Sequence, residues 1–357
     1  MRIKMKKIIL IVPSLIKGGV ERIVSILSKE LSKCFEVYVV IYHGPVEYEI
    51  EGKLINLETP TGSLLRKIKN TFYRVVKLKR LIKKISPDYI VSFMGNLQPI
   101  LTLNPVIVSI HIDPDFLLLY KKCLLKIIYK FPNVKKIITV SRGIEKKLNN
   151  NYHLKKTKTI YNPIDLKLIK QKLLAQKPVD FDYILAVGRL CRQKGFDILI
   201  NAFAKSNLKN KIKLIILGEG KERYNLEKLI DGLDLKSQVL LCGKVDNSFI
   251  YMKHAIFFVL SSRFEGFGIV IIEALACDTP VIATNCESGP SEIIENKKNG
   301  LLIPVEDEKA LKEAMEKLFH DKELYMKLKS NAYRSVKKYD IKNVVQDWIK
   351  LFEDMNI

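Results

Sequence analysis

Two glutamates, eight residues apart, flank a glycine-containing turn in the second half of the chain. Glu265 precedes the turn, and Glu273 lies in the apolar run that follows it. Apolar segments at 255–260 and 279–284 lie on either side, so the order predicts strand, turn, helix and strand. The free N–H groups at the start of such a helix favour an anion. The pattern therefore suits a ligand that has a central diphosphate and hydroxyl groups at both ends.

The stretch resembles the signature of the family-4 retaining glycosyltransferases, which have the GT-B fold. That signature is written E-G-F-G-x-x-x-x-E-A-x-A, and residues 265–276 read EGFGIVIIEALA. The resemblance implies that Glu265 holds sugar hydroxyls of a nucleotide-sugar and that Glu273 holds the ribose hydroxyls. It also implies front-face transfer with retention, in which the leaving phosphate helps to take the proton of the acceptor. Two solvated glutamates beside a helix start are the alternative interpretation of the pair.

Positive charge for a diphosphate comes from a segment nearer the middle of the chain. A predicted strand there is followed by Arg189 and Lys194, in a stretch that resembles the family pattern G-R-L-x-x-x-K-G. Arginine offers a bidentate fork of N–H donors to an anion, and lysine offers a point charge. We expect both side chains to hold the diphosphate, together with the predicted helix start at Phe267, Gly268 and Ile269.

No metal ion or cofactor is expected, since the nucleotide-sugar is itself the donor substrate. Two D-x-D sequences, at 113–115 and 180–182, match the metal-diphosphate motif of another glycosyltransferase fold. The first is explained by an H-x-D-P pattern that the resembled family often has, and the second lies just before a predicted strand. Neither is accompanied by further ligands in the sequence, so the prediction is metal-independent transfer.

Three further segments are candidates for the site. His111 ends an apolar strand, where ligands bind in open α/β sheets, and the resemblance places this histidine near the transferred sugar. Gly18 and Gly19 precede the first helix and allow a phosphate or sugar to approach the backbone closely. Lys244 and Val245 follow another strand, and the resemblance implies that their backbone touches the nucleobase. A structural histidine and an ordinary strand–helix turn are the alternatives for the first two segments.

The alternation of strands and helices predicts a parallel α/β sheet in each half of the chain. A length of 357 residues exceeds one typical core and predicts two domains. The resemblance implies the GT-B fold, in which two Rossmann-like domains face a central cleft. The expected limits are 1–165 for an acceptor-binding domain, 166–338 for a nucleotide-sugar-binding domain, and 339–357 for a helix that crosses back to the first domain. Trp348, the only tryptophan, is expected to pack there.

The positive charge is concentrated in the first half of the chain. The net charge is +23, and residues 1–165 carry 30 Lys and Arg against 12 Asp and Glu, hence +18. The most basic segment, residues 63–85, has no acidic residue, and its apolar residues recur at spacings of three and four. This pattern predicts a basic amphipathic helix that binds an anionic membrane surface. A core-packed helix with a solvated basic face is the alternative, and the two can coexist.

Cysteine use and hydropathy indicate the compartment. The six cysteines are scattered without a C-x-x-C pair, which is typical of free thiols in a reducing cytoplasm. No apolar run is long enough to span a membrane. The start of the chain is basic and then apolar, but its apolar run at 8–12 is short and no cleavage site follows, so we expect a buried strand there. The expected location is cytoplasmic, peripheral on the inner face of the cytoplasmic membrane.

The sequence as a whole predicts a retaining transfer of a hexose or N-acetylhexosamine. The donor is expected to be a UDP-sugar rather than a GDP-sugar, and the acceptor a hydroxyl of a lipid-linked, polysaccharide or lipopolysaccharide molecule. A GT-B nucleotide-sugar epimerase is one alternative, although E-G-F-G with Glu273 argues against it. A basic nucleic-acid-binding protein is another, but aromatic platforms and known modules are not evident, so no nucleic-acid partner is expected.

Overall fold

The computed structural model describes residues 5–16, 18–59, 64–95, 97–116 and 119–355, except for the side chains of 64–69, 119–121, 123 and 124. The chain divides into two compact units. The first comprises residues 1–164 and 339–357, and the second comprises residues 165–338. The first unit ends at residue 164, where the expected limit was 165, and the second unit ends at residue 338, which is the expected limit.

The first unit alternates strands and helices along the chain. Its elements are β1 (Lys7–Val12), α1 (Gly19–Leu31), β2 (Glu36–Ile41), β3 (Lys53–Asn56), α2 (Leu64–Ile85), β4 (Tyr89–Phe93), α3 (Leu97–Leu101), β5 (Val106–Ile110), α4 (Leu119–Ile128), β6 (Val134–Thr139), α5 (Arg142–Tyr152) and β7 (Thr157–Thr159). The strands form a parallel sheet in the order β3-β2-β1-β4-β5-β6-β7.

The second unit repeats this plan. Its elements are α6 (Leu166–Lys172), β8 (Tyr183–Val187), α7 (Phe196–Ala204), β9 (Lys213–Leu217), α8 (Arg223–Gly232), β10 (Val239–Leu241), α9 (Ser248–His254), β11 (Phe258–Leu260), α10 (Ile269–Ala276), β12 (Val281–Thr284), α11 (Pro290–Ile293), β13 (Leu301–Ile303), α12 (Glu308–His320) and α13 (Lys322–Val336). The strands form a second parallel sheet in the order β10-β9-β8-β11-β12-β13.

The central strands of both sheets are buried on both faces, as apolar runs predict for a parallel sheet. Every residue of β5 is buried, and so is every residue of β11. The apolar run at 255–260 is longer than the strand it contains, because only its second half pairs with β8 and β12. The edge strand β3 was not predicted, since three of its four residues are exposed and no apolar alternation marks it.

The last helix, α14 (Ile341–Asp354), belongs to the first unit, so the chain returns to that unit after the second one. Trp348 is 3% exposed, and its ring lies 6.2 Å from that of Phe93 and 5.9 Å from that of Phe352. The Tyr89 hydroxyl donates a 3.0 Å hydrogen bond to the Phe352 carbonyl oxygen. Aromatic packing and this buried bond hold α14 against the sheet.

The order of the strands reverses once in each sheet. In the first sheet this happens between β1 and β4, and in the second between β8 and β11. Ligands of open α/β sheets bind outside the carboxyl ends of the strands at such a point. The loops after β8 and β11 carry the arginine, lysine and glutamate that the sequence singles out, so the fold of the second unit brings those loops side by side.

The predicted basic helix is present as α2, and Ser63, the first residue of the predicted segment, lies outside the described residues. Leu78 and Ile82 of α2 are buried against the first unit. Across the parts of the chain that the structure describes, no helix has both the length and the apolar content needed to cross a membrane.

Candidate active site

A lysine and a glutamate from two neighbouring loops form a buried ion pair in the second unit. Lys194 ends a short 3-10 turn in the loop after β8, and Glu265 lies in the loop after β11. The Lys194 Nζ lies 2.6 Å from the Glu265 Oε1, and the two side chains are only 14% and 8% exposed. The Ser262 hydroxyl donates a 2.7 Å hydrogen bond to the same oxygen. No donor among the described residues reaches the Glu265 Oε2, so this carboxylate oxygen remains for a ligand.

Backbone contacts fasten the two loops to each other. The Ser261 hydroxyl donates to the Lys194 carbonyl at 2.9 Å, and the Gln193 side-chain amide donates to the Phe264 carbonyl at 2.9 Å. Gly195 makes this approach possible, because it adopts φ +60° and a Cβ there would lie 2.1 Å from the Ser261 carbonyl oxygen. The short distance between Lys194 and Glu265 is therefore held by the main chain as well as by charge.

Helix α10 begins four residues after Glu265. Its N-cap is Gly268, with φ +89°, and no side chain caps the helix. The first N–H groups of such a helix have no intrahelical partner and favour negative charge. Glu273 lies in the second turn and is 3% exposed. The uncapped start, at Phe267, Gly268 and Ile269, can therefore receive an anion beside the Lys194–Glu265 pair.

Arg189 is a cation of the same region whose guanidinium has no partner among the described residues. It is exposed, and its side chain makes no hydrogen bond or ion pair with the residues described. The loop that carries it passes close to the lysine, since a Cβ on Gly188 would lie 3.2 Å from the Lys194 Cδ. In the loop after β10, Lys244 is also exposed and Val245 is partly buried. The arginine is thus available to an anionic ligand, whereas the lysine is already paired.

His111 lies directly after β5 in the first unit. Its Nε2 lies 3.0 Å from the Ser109 hydroxyl, and its ring lies 5.8 Å from that of Phe93. Its Nδ1 is buried and has no partner among the described residues. Burial lowers the pKa of His111 to about 3. The imidazole is therefore neutral at physiological pH, and its Nδ1 can exchange a hydrogen bond with an uncharged ligand group.

Acid should destabilise the first unit through this histidine. Because the pKa of His111 is about 3 in the folded state and about 6.5 in the unfolded state, the unfolded state binds the extra proton between these values. Stability is then complete above pH 6.5 and falls as the pH falls below it. Lowering the pH from 7.5 to 5 should cost the wild type about 1–2 kcal/mol more than it costs His111→Gln.

Trp348 fluorescence during urea unfolding measures this difference, because the only tryptophan lies in the first unit. His320→Gln, at an exposed position at the end of α12, is the control and should behave as the wild type does. Equal acid sensitivity of the wild type and His111→Gln would contradict the assignment of a neutral imidazole with a buried Nδ1.

The remaining predicted residues of the first unit occupy loops of its sheet. Gly18 is the N-cap of α1, with an extended backbone, and accepts a 3.1 Å hydrogen bond from the Tyr48 hydroxyl at its carbonyl. Gly19 is the first residue of α1 and is exposed. The carboxylates of Asp113 and Asp115 both pair with one lysine, Lys147, at 2.7 and 3.0 Å. These ion pairs hold the loop that follows His111.

The structure brings two of the predicted site residues into contact and shows further residues of the site that were not predicted. Lys194 and Glu265, predicted to bind different parts of a ligand, are in direct contact with each other. Sequence reasoning missed Ser262, which donates to the Glu265 carboxylate. It also missed Gln193 and Arg263, which donate to backbone carbonyls of the two loops. No motif marks the three residues, and only their position beside Lys194 and Glu265 in the sequence indicates a shared site.

The chain matches profiles of two glycosyltransferase families. Residues 169–335 match "Glycosyl transferases group 1", and residues 17–168 match "Glycosyltransferase Family 4". A Campylobacter jejuni protein, N-acetylgalactosamine-N,N'-diacetylbacillosaminyl-diphospho-undecaprenol 4-alpha-N-acetylgalactosaminyltransferase, is 31% identical over 97% of this chain and 99% of its own. A second C. jejuni protein, an alpha-1,4-N-acetyl-D-galactosaminyltransferase named for a GalNAc- and diNAcBac-bearing PP-undecaprenol, is 27% identical over 98% and 99%.

Solved structures share the fold. A glycosyltransferase from Rickettsia africae superposes with a TM-score of 0.82, at 19% identity, over 99% of both chains. Anabaena HepE in complex with UDP-glucose superposes with a TM-score of 0.83, at 20% identity, over 98% of this chain and 99% of its own. The chain therefore belongs to the group 1, family-4 glycosyltransferases and has their GT-B fold.

Proposed function

We propose that the chain transfers a hexose or N-acetylhexosamine from a UDP-sugar to a hydroxyl of a lipid-linked acceptor, with retention and without a metal ion. The observation that carries this proposal is the site in the second unit. There the Lys194–Glu265 pair lies beside the uncapped start of α10, and the Arg189 side chain pairs with no residue that the structure describes. The site offers donors for a diphosphate next to an acceptor oxygen for a sugar hydroxyl.

The leaving group of such a transfer is a nucleoside diphosphate, which gains negative charge as the glycosidic bond breaks. Catalysis requires that this charge be stabilised more strongly in the transition state than in the bound donor. Arg189 supplies a full positive charge, and the N–H groups at Phe267, Gly268 and Ile269 supply oriented dipoles. Lys244 and Val245 border the expected position of the nucleobase, and Glu273 that of the ribose.

The environment of Glu265 supports retention by front-face transfer. Its Oε1 accepts from both Lys194 and Ser262, so its electron density is already engaged. A carboxylate held in this way is a good fixed acceptor for one hydroxyl through Oε2. We therefore assign Glu265 to positioning the sugar, while the leaving phosphate helps to take the proton of the acceptor.

The first unit would supply the acceptor side of the reaction. Its neutral His111 can exchange a hydrogen bond with a sugar hydroxyl, and the Gly18–Gly19 helix start allows the acceptor to approach the backbone closely. Both C. jejuni relatives are named for transfer to sugars on undecaprenol diphosphate. This supports a lipid-linked saccharide as the acceptor, and the UDP-glucose complex of HepE supports UDP in the donor.

A two-step experiment tests the proposed function. Thermal shift with a panel of UDP-, GDP- and ADP-sugars should show stabilisation by UDP-sugars, since a ligand that binds the folded state raises its stability by mass action. Transfer to a short-chain polyprenyl-diphospho-N-acetylhexosamine, in the presence of EDTA, should then give an α-linked product from an α-linked donor by NMR. Stabilisation by none of the sugars, or a β-linked product, would contradict the donor assignment or the retention.

The exposed face of α2 supports a peripheral position on the inner face of the cytoplasmic membrane. Phe72 and Tyr73 are 72% and 43% exposed, although both are aromatic. Four cations of the same helix are exposed and unpaired among the described residues: Lys79, Arg80, Lys83 and Lys84. Aromatic rings and lysines exposed on one helix suit the interface of an anionic bilayer.

Other cations of α2 pack into the first unit. Arg74 donates to the Thr59 hydroxyl at 2.9 Å, and Lys77 donates to the Leu57 carbonyl at 2.8 Å. These two cations therefore stabilise the first unit, and variants that test membrane binding must leave them unchanged.

Neutralising the exposed cations of α2 should release the protein from anionic vesicles. Each contributes about 1 kcal/mol near an anionic surface, so changing all four to glutamine should weaken binding roughly 10²- to 10³-fold. Flotation with phosphatidylglycerol-containing liposomes measures this. A control of equal charge change replaces four exposed lysines of the second unit, Lys309, Lys317, Lys322 and Lys327, by glutamine. Equal flotation of the two variants would show that the α2 face is merely solvated.

A further inference from the structure

Arg263 forms the most extensive side-chain network beside the ion pair of the candidate site. Its guanidinium donates to both carboxylate oxygens of Asp197, at 2.9 and 2.7 Å, and to Glu306 at 2.7 Å. A further hydrogen bond of 2.8 Å goes to the carbonyl oxygen of Arg192. The side chain is 17% exposed. Its donors are therefore directed into the protein and not towards a ligand.

These partners come from two other loops of the second sheet. Arg192 and Asp197 lie in the loop after β8 and in the first turn of α7, and Glu306 lies in the loop after β13. Arg263 itself lies in the loop after β11, two residues before Glu265. One planar side chain thus joins the carboxyl-terminal loops of three strands, which a lysine could not do with the same bidentate geometry.

The network acts directly on the turn that carries Lys194. All three carbonyl oxygens of the turn, from Arg192 to Lys194, accept hydrogen bonds from residues 261–263. Arg263 supplies two of these bonds, from its guanidinium to Arg192 and from its backbone N–H to Gln193 at 2.8 Å, and Ser261 supplies the third. The turn is therefore fastened to the glutamate loop along its whole length.

Charge reinforces this geometry. Burial would raise the pKa of Asp197, but the hydrogen bonds and charge of Arg263 hold it below its usual range. Asp197 and Glu306 in turn raise the pKa of Arg263. The arginine and its partner thus stay ionised, and a partly buried bidentate pair of this kind has a well-defined geometry.

We propose that Arg263 is a positioning residue for glycosyl transfer. It keeps the Lys194 turn in register with Glu265 when the diphosphate of the donor competes with Glu265 for the lysine ammonium. Without the Arg263 network, Lys194 could move towards the diphosphate and away from the Glu265 carboxylate. The sugar hydroxyl would then lose its fixed acceptor. The kinetic part of this inference rests on the proposed function, whereas the structural part concerns the protein without ligand.

Removing the side chain should therefore slow transfer more than it weakens nucleotide binding. A displacement of about 1 Å between reacting groups costs roughly 10²-fold in rate, so Arg263→Ala should lower kcat by roughly 10- to 100-fold. Because Arg189 and the start of α10 remain, the Kd of UDP should rise only a few-fold. Arg263→Lys keeps the charge but not the bidentate geometry, so its kcat should lie between those of the wild type and Arg263→Ala. Arg334→Ala, at an exposed position of α13, is the control and should match the wild type.

A double-mutant cycle with Lys194→Met separates positioning from general loss of structure. If Arg263 acts through Lys194, Arg263→Ala should have little further effect on kcat once the lysine is absent. An additive loss in the double variant would overturn the proposal, and so would a wild-type kcat in Arg263→Ala.

A crystal structure of ligand-free Arg263→Ala supplies the readout that does not depend on activity. The expected result is a Lys194 turn that is displaced from Glu265, so that the 2.6 Å ion pair is broken or is kept in only one of two conformers. An intact ion pair at the same distance would overturn the proposal even if the wild type showed no transfer. Failure of the wild type to bind any UDP-sugar would instead contradict the proposed function. The ligand-free structure of Arg263→Ala would then still test whether Arg263 positions the Lys194 turn.

Discussion

Arg189→Ala should lower kcat/KM roughly 10²- to 10³-fold without changing the melting temperature. The reason for the loss is that Arg189 is an exposed cation close in sequence to the Lys194 turn and has no partner among the described residues to satisfy. Its guanidinium can therefore bind the diphosphate fully as the leaving group gains charge. The reason for unchanged stability is the same: removing a side chain with no hydrogen bond or ion pair leaves no partner unsatisfied.

Steady-state transfer kinetics and differential scanning fluorimetry measure the two parts of this prediction. Arg334→Ala removes another exposed arginine from the same unit and should leave both quantities unchanged. Arg189→Lys should recover part of the activity, because it restores the charge but not the bidentate fork. Wild-type turnover in Arg189→Ala would show that the diphosphate is held elsewhere.

Lys194→Met, in contrast, should lose both activity and stability. The lysine is the charged partner of Glu265, and both side chains are nearly buried. Removing one partner of a buried ion pair leaves the other uncompensated, which typically costs about 3–5 kcal/mol. The expected loss of transfer is at least as large as that of Arg189→Ala, because the diphosphate loses a cation and the glutamate loses the donor that orients it.

The double variant Lys194→Met/Glu265→Gln makes this prediction specific. With both charges removed, most of the stability should return, and the Ser262 hydroxyl can still donate to the glutamine oxygen. Transfer activity should stay at the low level of Lys194→Met. Lys205→Met, which breaks the more exposed pair with Glu308, is the control and should cost less than about 1 kcal/mol. Calorimetric unfolding measures these differences, and equal losses at the two sites would contradict the buried-pair assignment.

The sequence predicts the sheets well because parallel strands covered on both faces must be apolar throughout. It also locates the loops that matter, since a strand followed by glycine and charged residues marks the carboxyl end of a sheet. The contact between Lys194 and Glu265 was not predicted, because the two residues are 71 positions apart and only the pairing of β8 with β11 brings their loops together. Spacing along the chain carries no direct information on such a contact.

The same limit explains why Arg263 and Ser262 were overlooked. Both lie next to a recognisable motif, and a single sequence does not distinguish a side chain that faces a ligand from one that braces the loop. The direction of the Arg263 guanidinium depends on Asp197 and Glu306, which are distant in sequence. The edge strand β3 was missed for a different reason, since its exposed residues leave it without an apolar pattern.

The return of α14 to the first unit reverses the usual order in which domains mature during synthesis. Residues 165–338 form a contiguous unit that can complete its core while later residues are still being made. The unit that is synthesised first is completed last, because the aromatic packing of Tyr89 and Phe93 is complete only when Phe352 and Trp348 have been synthesised. Until α14 has been synthesised, the first unit exposes the apolar surface that α14 later covers. Chaperones on the ribosome would bind this surface of the nascent chain.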